Sequence, residues 1–396
     1  MNDVRTIEPA VAMTSDIVER DATSTLLRAQ IRKRLSAQEK DFVLDVDFHA
    51  AAGITILFGP SGAGKTTLLD CISGLTAPDA GHIAIGDRIV FDPAQQINLP
   101  VRKRRVGYLF QDLALFLHMT VEQNVEYGLA HWSRTERAQH VSGILQELKI
   151  AHLAQRSARE ISGGEAQRVA LARTLVTDPA VLLLDEPMAA LDGPTKGKII
   201  DDLREWNRAH HIPILYVTHS REEVFALGEH VIVLDRGRIV AQGTPHEVMS
   251  APTQETVAQL AGFENIFDAE VEAVSPERGT MTCRIMTGRI AGKVGPLQLE
   301  TPLVRVDAGS ALRIGIRAGD ILLATSLPVG LSARNIIPGR IQSLEQRDVI
   351  IVARVKCGVE MDVHLTLAAR DALELTSGKE VWLVIKTHSC HLMQQI

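Results

Sequence analysis

The chain has 396 residues, which suits two or three domains rather than one. Its 45% hydrophobic and 23% charged content is that of a soluble globular protein. A net charge of −6 excludes a global basic field of the kind that binds nucleic acid, and four scattered cysteines without a CxxC pair suggest neither a zinc site nor a disulfide framework.

Residues 1–26 show no hydrophobic periodicity and read as a mobile tail. They mix acids and bases without an apolar core, so they do not read as a signal peptide. No stretch approaches the ~18 apolar residues of a membrane span. Any work at a membrane therefore calls for a partner that supplies the spans.

From Leu27 to about Gln242 short apolar runs alternate with longer amphipathic stretches. The runs "ITILFG", "VGYLFQ", "VLLLDE", "ILYVTH" and "VIVLD" read as strands buried on both faces, hence a parallel sheet covered by helices. "KTTLLDCISGL", "VSGILQELKI", "EAQRVALARTLV" and "TKGKIIDDLREWNRAH" read as those helices, which makes an α/β domain. The cluster "VRKRR" at Val101–Arg105 reads as a solvated face.

"GPSGAGKT" fits the phosphate-binding pattern G-x-x-x-x-G-K-[ST] and lies between a strand and a helix, the context that the pattern requires. Gly59, Pro60, Ser61, Gly62, Ala63 and Gly64 form the loop whose N–H groups turn around phosphates, with Thr67 just beyond it. Lys65 places a point charge near the β- and γ-phosphates, and the Thr66 hydroxyl can hold Mg²⁺. "VLLLDEP" ends a strand with two carboxylates, at the edge where open α/β sheets bind ligands. Asp185 supports Mg²⁺ in this reading, and Glu186 orients or deprotonates the attacking water. Gln111 and His219 close two further strands at the same edge, each within reach of a γ-phosphate or its water. A second cradle, "ISGGEAQ", places Ser162, Gly163 and Gly164 at a helix N-terminus.

Together these residues resemble the ATP-binding cassette family over Leu27–Ser250. "ISGGEAQ" corresponds to its signature, with Glu165 where glutamine is common, and "MAALD", ending at Asp192, to its D-loop. Gln111 corresponds to the Q-loop, where it also joins the metal site, and His219 to the switch histidine. The resemblance implies a P-loop NTPase that hydrolyses ATP with Mg²⁺. It implies a head-to-tail dimer in which Ser162, Gly163 and Gly164 cap the γ-phosphate held by the opposite copy. It also implies contact between "DLALFLHMTVEQNVEYGL" and membrane-spanning permease subunits, and hence a peripheral place on the cytoplasmic face of the membrane. No aromatic residue stands between Leu27 and Asp41 to stack on adenine, and Phe42 reads as part of a strand.

Beyond about Gly262 period-2 alternation dominates, and the sequence repeats. "ENIFDAEV" matches "RNIIPGRI" at an offset of 70, and "GSALRIGIRAGDILLA" matches "GKEVWLVIKTHSCHLM" at an offset of 69. Two copies of one β unit follow, 262–326 and 327–396, forming an all-β, OB-like C-terminal domain behind the α/β one. The second copy resembles the molbindin-like molybdate-binding module of molybdate-importer ATPases. That resemblance implies an oxyanion site, for molybdate or tungstate, at Ser332, Arg334, Asn335 and Lys386. The first copy has "ENI" where the second has "RNI", so the two copies are not expected to bind an anion alike. The whole reads as the ATPase subunit of a molybdate importer; the same-fold alternatives are importers of sulfate, sugar or polyamine, and a soluble cassette ATPase is the alternative of another class.

Overall fold

The computed structural model describes residues 26–36, 41–129, 132–189, 191–249, 252, 254–286, 297–347 and 349–393. The expected N-terminal tail lies outside these apart from Leu26.

The five apolar runs do form one sheet. Its order is Arg238–Gly243, His230–Asp235, Gly53–Phe58, Pro213–Thr218, Val181–Asp185 and Val106–Leu109. All pairs are parallel except the hairpin of the first two. Gly53–Phe58, Val181–Asp185 and Pro213–Thr218 are buried at every position, as strands covered on both faces must be. Period-2 geometry divides them between two cores. Ile54, Ile56, Leu182, Leu184, Ile214 and Tyr216 face the helices Gly163–Leu175 and Gly193–His210. Leu57, Leu183, Leu215 and Val217 face the other way, toward Leu68 and Leu69 of the helix Lys65–Ser73 and toward a second sheet.

That second sheet is antiparallel. It holds Leu27–Ser36, Asp41–Ala50, Ala80–Ile85, Arg88–Asp92 and Ile97–Asn98. Its alternating Leu27, Ala29, Ile31 and Leu44, Val46, Phe48 supply the inner face. Beside it the solvated reading of "VRKRR" fails at Arg104, which is only 1% exposed. Arg104 donates to the carbonyls of Cys71 and Ile72 at 2.9 Å and of Leu99 at 2.8 Å, and to Asn98 Oδ1 at 2.8 Å. A guanidinium can be buried because every edge finds an acceptor, here including the open carbonyls at the end of the P-loop helix.

The C-terminal part is two five-stranded sheets. The strands Asn265–Ser275, Thr280–Ile285 and Ala311–Ile316 recur as Asn335–Arg347, Ile350–Lys356 and Glu380–Ile385. The repeats exchange their last strands. Leu322–Ala324, from the first, pairs with Glu380–Ile385, and His391–Met393, from the second, pairs with Ala311–Ile316. One core, including Ile314, Ile316, Ile341, Val355 and Leu383, fills both sheets.

Candidate functional site

The P-loop leaves the buried strand Gly53–Phe58 and enters the helix Lys65–Ser73. Gly59, Gly62 and Gly64 take φ of 155°, 79° and 103°, conformations that side chains disfavour. A Cβ on Gly64 would stand 2.8 Å from the Phe42 ring. Lys65 Nζ donates to the carbonyls of Gly59 at 2.8 Å and Pro60 at 2.9 Å. Burial lowers its pKa, and the nearby Glu186 and Asp185 charges oppose that shift. Ala63 is buried, and its carbonyl accepts from Gly237 N, which anchors the loop from behind.

Thr66 Oγ1 donates to Asp185 Oδ2 at 2.9 Å, so the hydroxyl and carboxylate that sequence assigned to one metal do meet. Desolvation raises the Asp185 pKa, aided by Glu186 and opposed by the Thr66 hydrogen bond and Lys65. The next residue, Glu186, takes a left-handed φ of 46°, uncommon for a residue with a side chain, and is tied to the neighbouring strand by N–H donation to Val217 O at 3.1 Å. Its Oε2 lies 3.3 Å from Nδ1 of His219, which follows the strand Pro213–Thr218. A cavity of about 460 Å³ gathers Ser61, Gly62, Gly64, Lys65, Thr66, Thr67, Gln111, Asp185 and Glu186. Gln111 lies two residues past the end of Val106–Leu109, so it reaches the cavity from a loop and not from the strand itself.

Ser162, Gly163, Gly164 and Asp192 do not line this cavity. Ser162 caps the helix Gly163–Leu175 in a capping box with Glu165. Glu165 Oε2 accepts from Ser162 N at 2.7 Å and Ser162 Oγ at 2.8 Å, and these bonds lower its pKa. Ser162 and Gly163 are exposed. Asp192 caps the helix Gly193–His210 by accepting from Thr195 N at 2.9 Å.

In the C-terminal part a cavity of about 660 Å³ brings together Ser332, Arg334 and Lys386, joined by Arg278, Thr280, Glu300 and His388. Lys386 stands one residue past the strand Glu380–Ile385 and is exposed; the strand expected to carry it ends first. Arg334 Nε lies 3.7 Å from Glu300 Oε1. Asn335 is 5% exposed and bonded to the Glu300 main chain, and it does not line the cavity.

Residues 43–189 match the ABC transporter family model, and residues 331–392 match the TOBE domain. The molybdenum import ATP-binding protein ModC of Rhizobium meliloti is 35% identical over 370 residues, covering 91% of this chain and 98% of that protein. The ModC proteins of Mesorhizobium japonicum and Vibrio cholerae are each 36% identical, covering 92% and 80% of this chain and 95% and 83% of their own lengths. The chain belongs to the ABC transporter ATP-binding family. A solved dimeric ATP-binding cassette bound to ADP and Pi covers 56% of this chain and 98% of its own, at 27% identity and a TM-score of 0.48.

One feature of the cassette escaped the sequence. Leu35 and Phe42 are paired across the first hairpin and form an apolar wall of the nucleotide cavity. Phe42 lies in the strand Asp41–Ala50, in line with the sequence expectation, but its place opposite the P-loop depends on the register of that hairpin. Only the alternation of "DFVLDVDFHA", which puts Phe42 on the face with Leu44, could have pointed to it.

Proposed function

We propose that the chain is the ATP-hydrolysing subunit of a molybdate importer. The observation that carries this is the convergence of Thr66, Asp185, Glu186 and His219 beside the P-loop, in a chain alike over nearly its whole length to molybdenum import ATP-binding proteins. Lys65 exchanges its two loop carbonyls for phosphate oxygens of ATP. The Thr66 and Asp185 oxygens, with Gln111 on the same wall, are the hard donors that suit Mg²⁺. An ion held by these residues would supply positive charge beside the phosphates. Glu186 takes the proton of the attacking water, and His219 holds the Glu186 carboxylate in place. Leu35 and Phe42 offer the adenine an apolar face.

Ser162, Gly163 and Asp192 are exposed and, with Gly164, do not line their own cavity, which supports a head-to-tail dimer in which they complete the partner's site. The exposed Phe110, Leu117 and Tyr127 around the Q-loop supply an apolar face for permease subunits. Among the described residues no helix is long and apolar enough to cross a membrane; in this reading the permease holds the chain at the cytoplasmic face. We place the cassette at 27–250 and the β copies at 262–326 and 327–396, with their last strands exchanged. The C-terminal cavity would take molybdate or tungstate on Ser332, Arg334, Lys386 and Arg278, while Asn335 fixes the strand behind it. Among the described residues of the first copy, Arg317, the counterpart of Lys386, lies over the Phe263 ring at 4.5 Å.

Glu186→Gln tests the reading. It keeps the size of the side chain and removes the base, so hydrolysis should fall ~10²–10⁴-fold while ATP still binds. Near-normal turnover would contradict it.

A further inference from the structure

The two helices that carry the surface cradle are joined to each other. A Cβ on Gly164 would stand 2.6 Å from Thr195 Cγ2, so the signature helix seats directly on the third residue of the helix Gly193–His210 that follows the D-loop. Thr195 in turn holds Asp192: its N donates to Oδ1 at 2.9 Å and its Oγ1 to Oδ2 at 3.0 Å. Further along both helices, Arg168 forms an ion pair with Asp202 Oδ2. Lys149 Nζ donates to Asp202 Oδ1 at 2.7 Å. Arg168 also donates to Leu148 O at 3.0 Å, which ties in the end of the helix Arg134–Glu147. The Asp202 side chain is 7% exposed and that of Arg168 15%, so neither charge can leave its partner without a desolvation cost.

We infer that the signature and the D-loop form one rigid clamp, seated at Gly164–Thr195 and locked by Arg168–Asp202, with Thr195 and Asp202 as positioning residues for capping the second subunit's nucleotide. The inference rests on the head-to-tail dimer proposed above. It gives Gly164 a reason that lies within its own chain. The glycine makes room for the Thr195 methyl group, and the approach of a triphosphate is a separate demand on the same surface.

The test uses the full chain in the Glu186→Gln background, with ATP-driven dimerisation followed by sedimentation velocity. Gly164→Ala should weaken dimerisation about tenfold, within the usual range of coupling between sites. Monomer affinity for ATP and the circular dichroism spectrum should not change. Adding Thr195→Ser removes the methyl group and keeps the hydroxyl, and it should restore dimerisation. A Gly164→Ala defect that Thr195→Ser leaves untouched would overturn the clamp, as would no defect at all. If Glu186→Gln binds ATP and stays monomeric, the dimer reading fails, and amide exchange in the monomer still judges the clamp. There Arg168→Lys, which keeps the charge and loses the guanidinium Nη1 that serves both Asp202 and Leu148 O, should raise exchange at both Ser162–Glu165 and Asp192–Thr195. A rise at one segment alone would contradict a single rigid unit.

Discussion

Asn265 and Asn335, 70 residues apart, make the same clasp from opposite sides of the C-terminal domain. Asn265 donates to Asp362 O and accepts from Asp362 N, both at 2.8 Å. Asn335 donates to Glu300 O at 2.9 Å and accepts from Glu300 N at 2.7 Å. Each opens the first strand of its own repeat and pairs, as a strand would, with the main chain of the other. The asparagine common to "ENI" and "RNI" is therefore a structural joint.

Removing either amide leaves a main-chain donor and acceptor short of partners. Asn265→Ala and Asn335→Ala should each cost about 1–3 kcal/mol, measured by denaturant unfolding. Asn335→Asp should be at least as harmful, because its carboxylate would face the Glu300 carbonyl. ATPase activity of the folded variants should persist. An Asn335→Ala chain of unchanged stability that loses molybdate binding would restore the ligand role first read for this residue.

Arg104 predicts a larger loss. Its guanidinium meets four acceptors at once, and lysine has no fork with which to do so. Arg104→Lys should destabilise the cassette by about 2–4 kcal/mol, as loss of several hydrogen bonds to a buried charge does. Because the acceptors include the end of the P-loop helix, ATP affinity should fall with it. Thermal melting and nucleotide titration read the two effects separately.

Arg104 also shows where the sequence was opaque. The four basic residues of "VRKRR" look alike in sequence, yet Arg104 is a core residue, because partners that bury it come from segments as far away as Cys71 and Ile72. The nucleotide site was legible because each motif lies within a few residues of a strand or helix end, so local order fixes the chemistry. The antiparallel sheet of Leu27–Ser36, Asp41–Ala50, Ala80–Ile85, Arg88–Asp92 and Ile97–Asn98 is not legible in the sequence, since its pairings are set by tertiary register. Phe42 was obscured for the same reason. In the C-terminal domain the repeat was visible as spacing, whereas the strand exchange, a choice between equivalent edges, left no mark in composition.

Asp70 gives a pH prediction. Burial raises its pKa, and a hydrogen bond from Tyr108 at 3.3 Å opposes the shift. An acid whose folded pKa is raised binds more protons in the folded state. Its contribution is present in full below the unfolded value, near pH 4, and is lost as pH rises through the folded value. Asp70→Asn removes that loss. Its melting temperature relative to the parent should rise as the pH increases above about 4. A difference independent of pH would contradict the assignment.

The wall formed by Leu35 and Phe42 predicts a change in binding rather than in chemistry. Phe42→Ala removes one apolar face and leaves Thr66, Asp185 and Glu186 in place. KM for ATP should rise about 5–150-fold with kcat within twofold, in line with the ~1–3 kcal/mol of a base–aromatic contact. A fall in kcat with unchanged KM would show that Phe42 acts through the P-loop, against which it packs at Gly64.

In the proposed function ATP hydrolysis at this site drives molybdate import. Its most direct test is uptake into proteoliposomes that contain the chain with its membrane partner, supplied with a panel of oxyanions. ATP-dependent uptake of molybdate or tungstate over sulfate is the expected result, abolished by Glu186→Gln although ATP still binds. Sulfate uptake equal to that of molybdate, or molybdate uptake that survives Glu186→Gln, would contradict it.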